Sequence, residues 1–202
     1  MIKLYFADIR NLDENKIQMQ KLPESYLRRA ARAKKSEDRL RILTSGFLLW
    51  SVLGEAEIKK GLFGKPYISG GPEFNLSHSG DYVILATSDR PVGVDIEASR
   101  ERQFEKLARK VFHPDEQQQL SDANDKSFVF YAIWTCKEAY IKAVGKGFSI
   151  NPKSFCIDVT CSGAHIKDDG VYNLFRPNVT DGYSVAVCSE DYVLSDEIEH
   201  IL

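Results

Sequence analysis

The chain has 202 residues, a formal net charge of −2 and an apolar fraction of 43%, enough to bury a core in one large domain or two small ones. The charge balance argues against a dedicated nucleic-acid binder, which usually carries a basic excess. No signal-peptide run opens the chain, and Phe47–Trp50 and Val83–Ala86 fall far short of the roughly 20 apolar residues that span a membrane.

Tyr26 to Arg41 is strongly basic: Arg28, Arg29, Arg32, Lys34, Lys35, Arg39 and Arg41 are opposed only by Glu37 and Asp38. Leu40, Leu43, Phe47 and Trp50 then recur at helical spacing, with Ser36 placed to cap the start and Gly54 to close the end. Residues 61–72 are turn-rich. Phe74–His78 and Tyr82–Thr87 read as strands about a Ser79-Gly80-Asp81 turn, and Val92–Glu97 as a third. Phe104–Phe112, Pro114–Leu120 and Ser127–Val144 read as helices, followed by strands at Phe155–Val159, His165–Lys167, Val171–Phe175 and Tyr183–Ser189. The four cysteines, Cys136, Cys156, Cys161 and Cys188, form no CxxC pair and read as reduced packing residues. A cytoplasmic protein is expected.

The two halves share an order of helix, Gly-Lys-Pro/Gly turn and aromatic-led strand: Gly64-Lys65-Pro66 with Tyr82–Ser88, then Gly145-Lys146-Gly147 with Tyr183–Ser189. The pattern predicts an α+β fold of two similar subdomains, residues 1–98 and 99–202. A pseudo-twofold duplication would relate them, with the site in the cleft between. Chance similarity of common turns is the rival explanation.

If Gly93-Val94-Asp95-Ile96-Glu97 is a strand, Val94 and Ile96 face the core and Asp95 and Glu97 project together from the other side. Paired carboxylates repel unless a cation lies between them, and hard divalent ions prefer such oxygen ligands. A solvated strand end would explain the same acids without a metal. The helix Ser127–Val144 is apolar nearly all round, so Lys137, Glu138 and Lys142 need partners or a charged ligand. The plainer alternative is an i,i+4 Glu138–Lys142 pair on a solvated face. Asn75-Leu76-Ser77-His78-Ser79-Gly80 offers hydroxyls, an imidazole and turn amides that can hold a phosphate. No P-loop, dinucleotide fingerprint, HExxH or nucleophile elbow occurs.

Gly93–Glu97, followed some forty residues later by Trp134-Thr-Cys-Lys-Glu-Ala-Tyr-Ile-Lys142, resembles the 4′-phosphopantetheinyl transferases of the larger, single-chain surfactin-synthetase type. Gly64-Lys-Pro66, Phe74–Gly80, Val111-Phe-His-Pro-Asp-Glu116 and Gly145-Lys-Gly147 match further signatures of that family in order. The resemblance implies transfer of the phosphopantetheine arm of coenzyme A to a serine of an acyl or peptidyl carrier protein, releasing 3′,5′-ADP. It implies that Asp95, Glu97 and Glu138 hold Mg²⁺, that Lys142 contacts the pyrophosphate, and that Ser77 and His78 take the 3′-phosphate side. By the same likeness Lys65 and Pro66 lie by the adenosine, Arg29 and Arg41 contact phosphate, and Glu116 is a supporting acid. Glu138, or a water on the metal, would take the serine proton. The expected partners are coenzyme A and the apo carrier, for a monomer bound to neither nucleic acid nor membrane. Two rivals use the same residues: a metal-dependent pyrophosphate or phosphodiester hydrolase, and a non-catalytic coenzyme A or nucleotide-binding module.

Overall fold

The computed structural model describes residues 1–13, 21–160 and 163–201, so Cys161 lies outside the described residues. The chain begins with β1 (Ile2–Asp8), α1 (Glu24–Ala31), α2 (Ser36–Leu53), β2 (Ile58–Lys60), β3 (Pro66–Ile68), β4 (Glu73–Ser79), β5 (Tyr82–Ser88) and β6 (Val92–Ala98). It continues through α3 (Phe104–Val111), α4 (Pro114–Asp122), α5 (Lys126–Val144), β7 (Ile157–Thr160), β8 (Gly163–Ile166), β9 (Asn173–Phe175), β10 (Tyr183–Ser189) and β11 (Leu194–His200). The fold is α+β, as expected. No helix among the described residues is long and apolar enough to cross a membrane, and Cys136, Cys156 and Cys188 are buried free thiols.

Two sheets, ordered β11-β1-β5-β4 and β6-β10-β9, carry the core. Strand alternation assigns their faces. Ile2, Leu4, Phe6, Ile84 and Ala86 of the first sheet pack against Val92, Val94, Ile96, Val185 and Val187 of the second. The opposite face of the first sheet, with Tyr5, Ala7, Val83 and Leu85, buries Leu48 and Leu49 of α2. Ala186 and Cys188, on the outer face of the second sheet, join the cluster of α5 residues such as Ile133, Cys136 and Ala139. The layers therefore run α2, sheet, sheet, α5. Strands buried on both faces read as nearly unbroken apolar runs, as in Tyr82–Ala86.

Each sheet repeats one connectivity. A first strand (β1 or β6) precedes the long helix (α2 or α5), and the last strand (β5 or β10) lies between the first and the middle one (β4 or β9). The leading tyrosines of the two last strands, Tyr82 and Tyr183, touch edge to face at 4.9 Å. β6 is paired with β10 from Val92–Ser189 to Ala98–Tyr183, across the division expected after residue 98, and the chain passes from the first sheet to the second at residues 89–91.

Other expectations shift locally. Ser36 is the first helical residue and not the cap, which is Lys35 without a side-chain hydrogen bond. Glu37 and Asp38 still supply the favourable charge in the first turn, and Gly54 ends the helix at φ +69°. The turn-rich stretch contains a short ladder, Ile58–Lys60 on Pro66–Ile68. Phe155 and Val171 lie outside the strands expected to include them.

Candidate active site

The site begins with a missing side chain. A Cβ on Gly93 would stand 2.1 Å from the carbonyl oxygen of Ala139 and 2.4 Å from the amide nitrogen of Ala143. Glycine thus lets the backbone of α5 rest directly on β6. This close approach brings Lys142 to the strand, where its Nζ donates to Asp95 Oδ1 at 2.6 Å and to the Val94 carbonyl at 3.1 Å. Lys142 therefore bonds across the layers to Asp95, and no bond joins it to Glu138 on its own helix.

β4 and β6 meet edge to edge without a ladder, and side chains of β4 join them. Asn75 Oδ1 accepts from the Val94 amide at 2.9 Å. Ser77 Oγ donates to Asp95 Oδ1 at 2.8 Å. Ser79 Oγ donates to Glu97 Oε2 at 2.9 Å and accepts from the Ala98 amide at 3.1 Å. Alternation explains this: Phe74 and Leu76 pack toward α2, so Asn75, Ser77 and Ser79 point the other way. Sequence reasoning named Asn75 and Ser79 only within a cluster suited to a phosphate; their two-residue spacing from Ser77 was the signal that they join β6 instead.

Asp95, Glu97 and Glu138 share this corner. Asp95 is buried, and its Oδ2 has no hydrogen-bond partner. Burial first, then the charge of Asp95, raises the pKa of Glu97. Burial and Asp95 likewise raise that of Glu138, and Glu97 adds to the effect. Three oxygen donors that influence one another electrostatically, one of them orphaned, are of the kind a hard divalent ion takes, with Lys142 as the nearby cation. Their oxygens are not drawn to ligating separation. Among the described residues, the group of donor atoms all within 4.8 Å of one another is His113, Asp115 and Cys156. That group is otherwise engaged: His113 Nδ1 accepts the Asp115 amide, and Asp115 Oδ2 is bonded to Lys167 Nζ at 2.9 Å.

A cavity of about 350 Å³ opens beside the corner, lined by Tyr26, Arg29, Pro66, Ser77, His78 and Lys142 among others. Partial burial, then the Arg41 charge, then Lys142 and Arg29 lower the pKa of His78, so cations surround it. Arg29 is exposed at the rim over the Tyr26 ring. Arg41 is held by Asp38 at 3.0 Å and by the Gly80 carbonyl at 3.3 Å. A second cavity of about 200 Å³ shares Pro66, Asn75 and Lys142 with the first and is lined also by Lys65. Lys65 Nζ donates to the Val92 and Ala143 carbonyls, both at 3.1 Å, and burial lowers its pKa. Arg29, Lys65, Pro66, Ser77 and His78 line one or other of the two adjoining cavities, with Ser77 also bonded to Asp95, whereas Arg41 lines neither.

Glu116 and Lys137 stand apart from this corner as a buried pair, 2.7 Å between Oε1 and Nζ, with side chains 0% and 4% exposed. Glu116 also accepts the His113 and Ile157 amides, and Lys137 donates to the Pro152 and Phe155 carbonyls. Every charge is satisfied, so the pair ties α4, α5 and β7 together. This places Glu116 as a supporting acid without contact to the site.

The pattern of the 4′-phosphopantetheinyl transferase superfamily matches residues 91–194, which hold Gly93, all three acids and Lys142. The chain is similar to "4'-phosphopantetheinyl transferase gsp" of Aneurinibacillus migulanus, 38% identical over 65% of this chain and 57% of that one. It is similar also to "4'-phosphopantetheinyl transferase" of Bacillus subtilis, 32% identical over 68% of this chain and 64% of that one. A further Bacillus subtilis relative, "4'-phosphopantetheinyl transferase ffp", is 32% identical over 76% of this chain and 75% of that one. The chain thus spans about three fifths of the length of the first two relatives. A holo-(acyl-carrier-protein) synthase from Bacillus anthracis aligns in structure over 49% of this chain and 93% of its own, at 17% identity and a TM-score of 0.42. With its matched pattern running through both β6 and α5, the chain belongs to the 4′-phosphopantetheinyl transferase superfamily.

Proposed function

We propose that this protein transfers 4′-phosphopantetheine from coenzyme A to a serine of an apo acyl or peptidyl carrier protein, with release of 3′,5′-ADP. The observation that carries the proposal is the corner where Asp95, with its orphaned Oδ2, Glu97 and Glu138 adjoin a cavity ringed by Arg29, Ser77, His78 and Lys142. One face gathers negative oxygen and the next gathers cations, as a cation–pyrophosphate pair requires. The repeated strand order supports a duplicated unit whose two copies form the seam. One chain supplies both walls, so it would work as a monomer, in the cytoplasm.

In this reading Asp95, Glu97 and Glu138 hold Mg²⁺, which when bound offsets charge on the pyrophosphate. Phosphoryl transfer asks the protein chiefly to position groups and neutralise charge. Arg29, Arg41 and His78 would receive the 3′-phosphate side of the nucleotide, and Lys65 and Pro66 would flank the adenosine. Ser77 orients Asp95 by its hydrogen bond, and its role for substrate is through that acid. Lys142 would exchange part of its bond to Asp95 for a pyrophosphate oxygen. The serine hydroxyl attacks the β-phosphorus, the bond to the bridging oxygen breaks, and 3′,5′-ADP departs. Glu138 would accept the serine proton, because burial keeps its carboxylate more basic than an exposed one.

Intact-mass analysis of an apo carrier protein incubated with this chain, coenzyme A and Mg²⁺ tests the proposal. The expected result is the gain of one phosphopantetheine group. An unchanged carrier together with 3′,5′-ADP release in its absence would instead assign a hydrolase.

A further inference from the structure

The second sheet holds a further cavity, which adjoins the Glu97 side of the corner through Tyr131 and Ser184. It measures about 670 Å³ and shares no lining residue with either cavity around Lys142. Its origin is a hairpin that opens early. β9 pairs with β10 only from Asn173–Ser189 to Phe175–Val187. Pro177, which has no N–H to continue a ladder, lies just beyond. Tyr183, Ser184 and Val185 of β10 therefore have β6 on one side and the cavity on the other. The corresponding hairpin of the first sheet stays paired to Ser79–Tyr82, so the gap belongs to this half alone.

The walls combine aromatic surface with one formal charge. Phe128, Tyr131, Phe175 and Tyr183 supply rings, Arg176 supplies the charge, and no Asp or Glu among the described residues lines the space. Arg176 has no ion pair or hydrogen bond to a described residue. Its Nε is buried without an acceptor, and its guanidinium sits 4.8 Å from the Phe128 ring, itself 51% exposed at the mouth. The Nη nitrogens are not enclosed in this way and carry no hydrogen bond to a described residue, so they are the donors that an anion in the cavity can meet. The volume is that of a small-molecule site, which is mostly apolar with a few polar groups fixing orientation.

We propose that this cavity binds a small organic carboxylate with an aromatic or branched apolar body, its anion on Arg176 and its body among Phe128, Phe175 and Tyr183. The proposal stands independently of the transferase reading. Charge complementarity selects the class: one unpaired cation, no competing acid, and rings on either side.

Titration calorimetry of the full chain with 2-naphthoate, and with the neutral 2-naphthamide, provides the test. Naphthoate should bind the unaltered chain and bind Arg176→Met roughly tenfold or more weakly. Naphthamide should bind both alike, and saturating 3′,5′-ADP should leave naphthoate binding in place. Should Arg176→Met fail to fold by circular dichroism, Arg176→Gln serves with the same expected loss. Equal naphthoate affinity with and without the guanidinium, absence of binding, or displacement by 3′,5′-ADP would each overturn the assignment.

Discussion

Gly93 and Ala139 stand closer than any pair with a side chain between them could: a Cβ on the strand residue would lie 2.1 Å from the helix carbonyl. The obstruction is backbone on both sides, so no rotamer change relieves it. Gly93→Ala should lower stability by about 1–3 kcal/mol or more, seen as a fall in Tm. Because the same contact sets Lys142 against Asp95, activity measured well below the new Tm should fall as well. A variant with unchanged Tm would mean that α5 is free to move off β6.

Glu138→Gln keeps the size of the side chain and removes its charge and basicity. If Glu138 accepts the serine proton, turnover should drop on the order of a hundredfold or more, with a much smaller change in coenzyme A binding. Single-turnover kinetics beside equilibrium titration separate the two. Equal losses would reject the base role and leave Glu138 as a ligand only.

The buried Glu116–Lys137 pair predicts a strongly non-additive mutant cycle. Glu116→Gln or Lys137→Met alone leaves one charge buried without its partner and should cost about 3–5 kcal/mol. The double variant should lose much less than the two costs summed. Denaturant unfolding of the four proteins measures the coupling, and additive losses would show that the charges act separately.

Asp169 joins α5 to the loop before β9. Its Oδ1 accepts the Val171 and Tyr172 amides at 2.8 and 3.0 Å, and its Oδ2 accepts the Tyr140 hydroxyl at 3.0 Å. Burial works against the charged form, but these hydrogen bonds outweigh it and leave the pKa lowered. A carboxylate with a depressed folded-state pKa stabilises the fold above its ordinary value. That contribution is lost as pH falls through the ordinary value toward the depressed one. Asp169→Asn should therefore be less stable than the unaltered chain at neutral pH, with the gap closing in acid. A gap constant from neutral pH to pH 3 would contradict the assignment.

Most central elements were legible because their periodicities were strong. Tyr82–Ala86 and Tyr183–Ser189 are apolar runs bounded by turns, and α5 carries an arc of large residues. β11 was not legible: Leu194-Ser-Asp-Glu-Ile-Glu-His200 is an acidic, half-exposed edge strand whose pairing with β1 comes from distant residues. α1 was hidden in a basic stretch, since its apolar side, Tyr26, Leu27 and Ala30, is short. At the site, alternation gave Asp95 and Glu97 a shared side and helical spacing gave Glu138 and Lys142 theirs. What spacing could not give was the partner of Lys142. An i,i+4 bond to Glu138 was the plainer alternative, and the approach permitted by Gly93 gives Lys142 Asp95 as its partner. Ser77 likewise turns toward an acid 18 residues later, a contact that exists only because two sheet edges meet.

The parallel register of β1 on β11, Ile2 beside Leu194 and Phe6 beside His200, joins residues almost a whole chain length apart. Contacts of such separation carry a loop-closure penalty before they contribute any stabilisation. On the ribosome, β1 would emerge well before β11 and wait for it while the residues between them are made. Until then a long apolar strand keeps one edge bare, which makes the nascent chain most prone to aggregate during that interval.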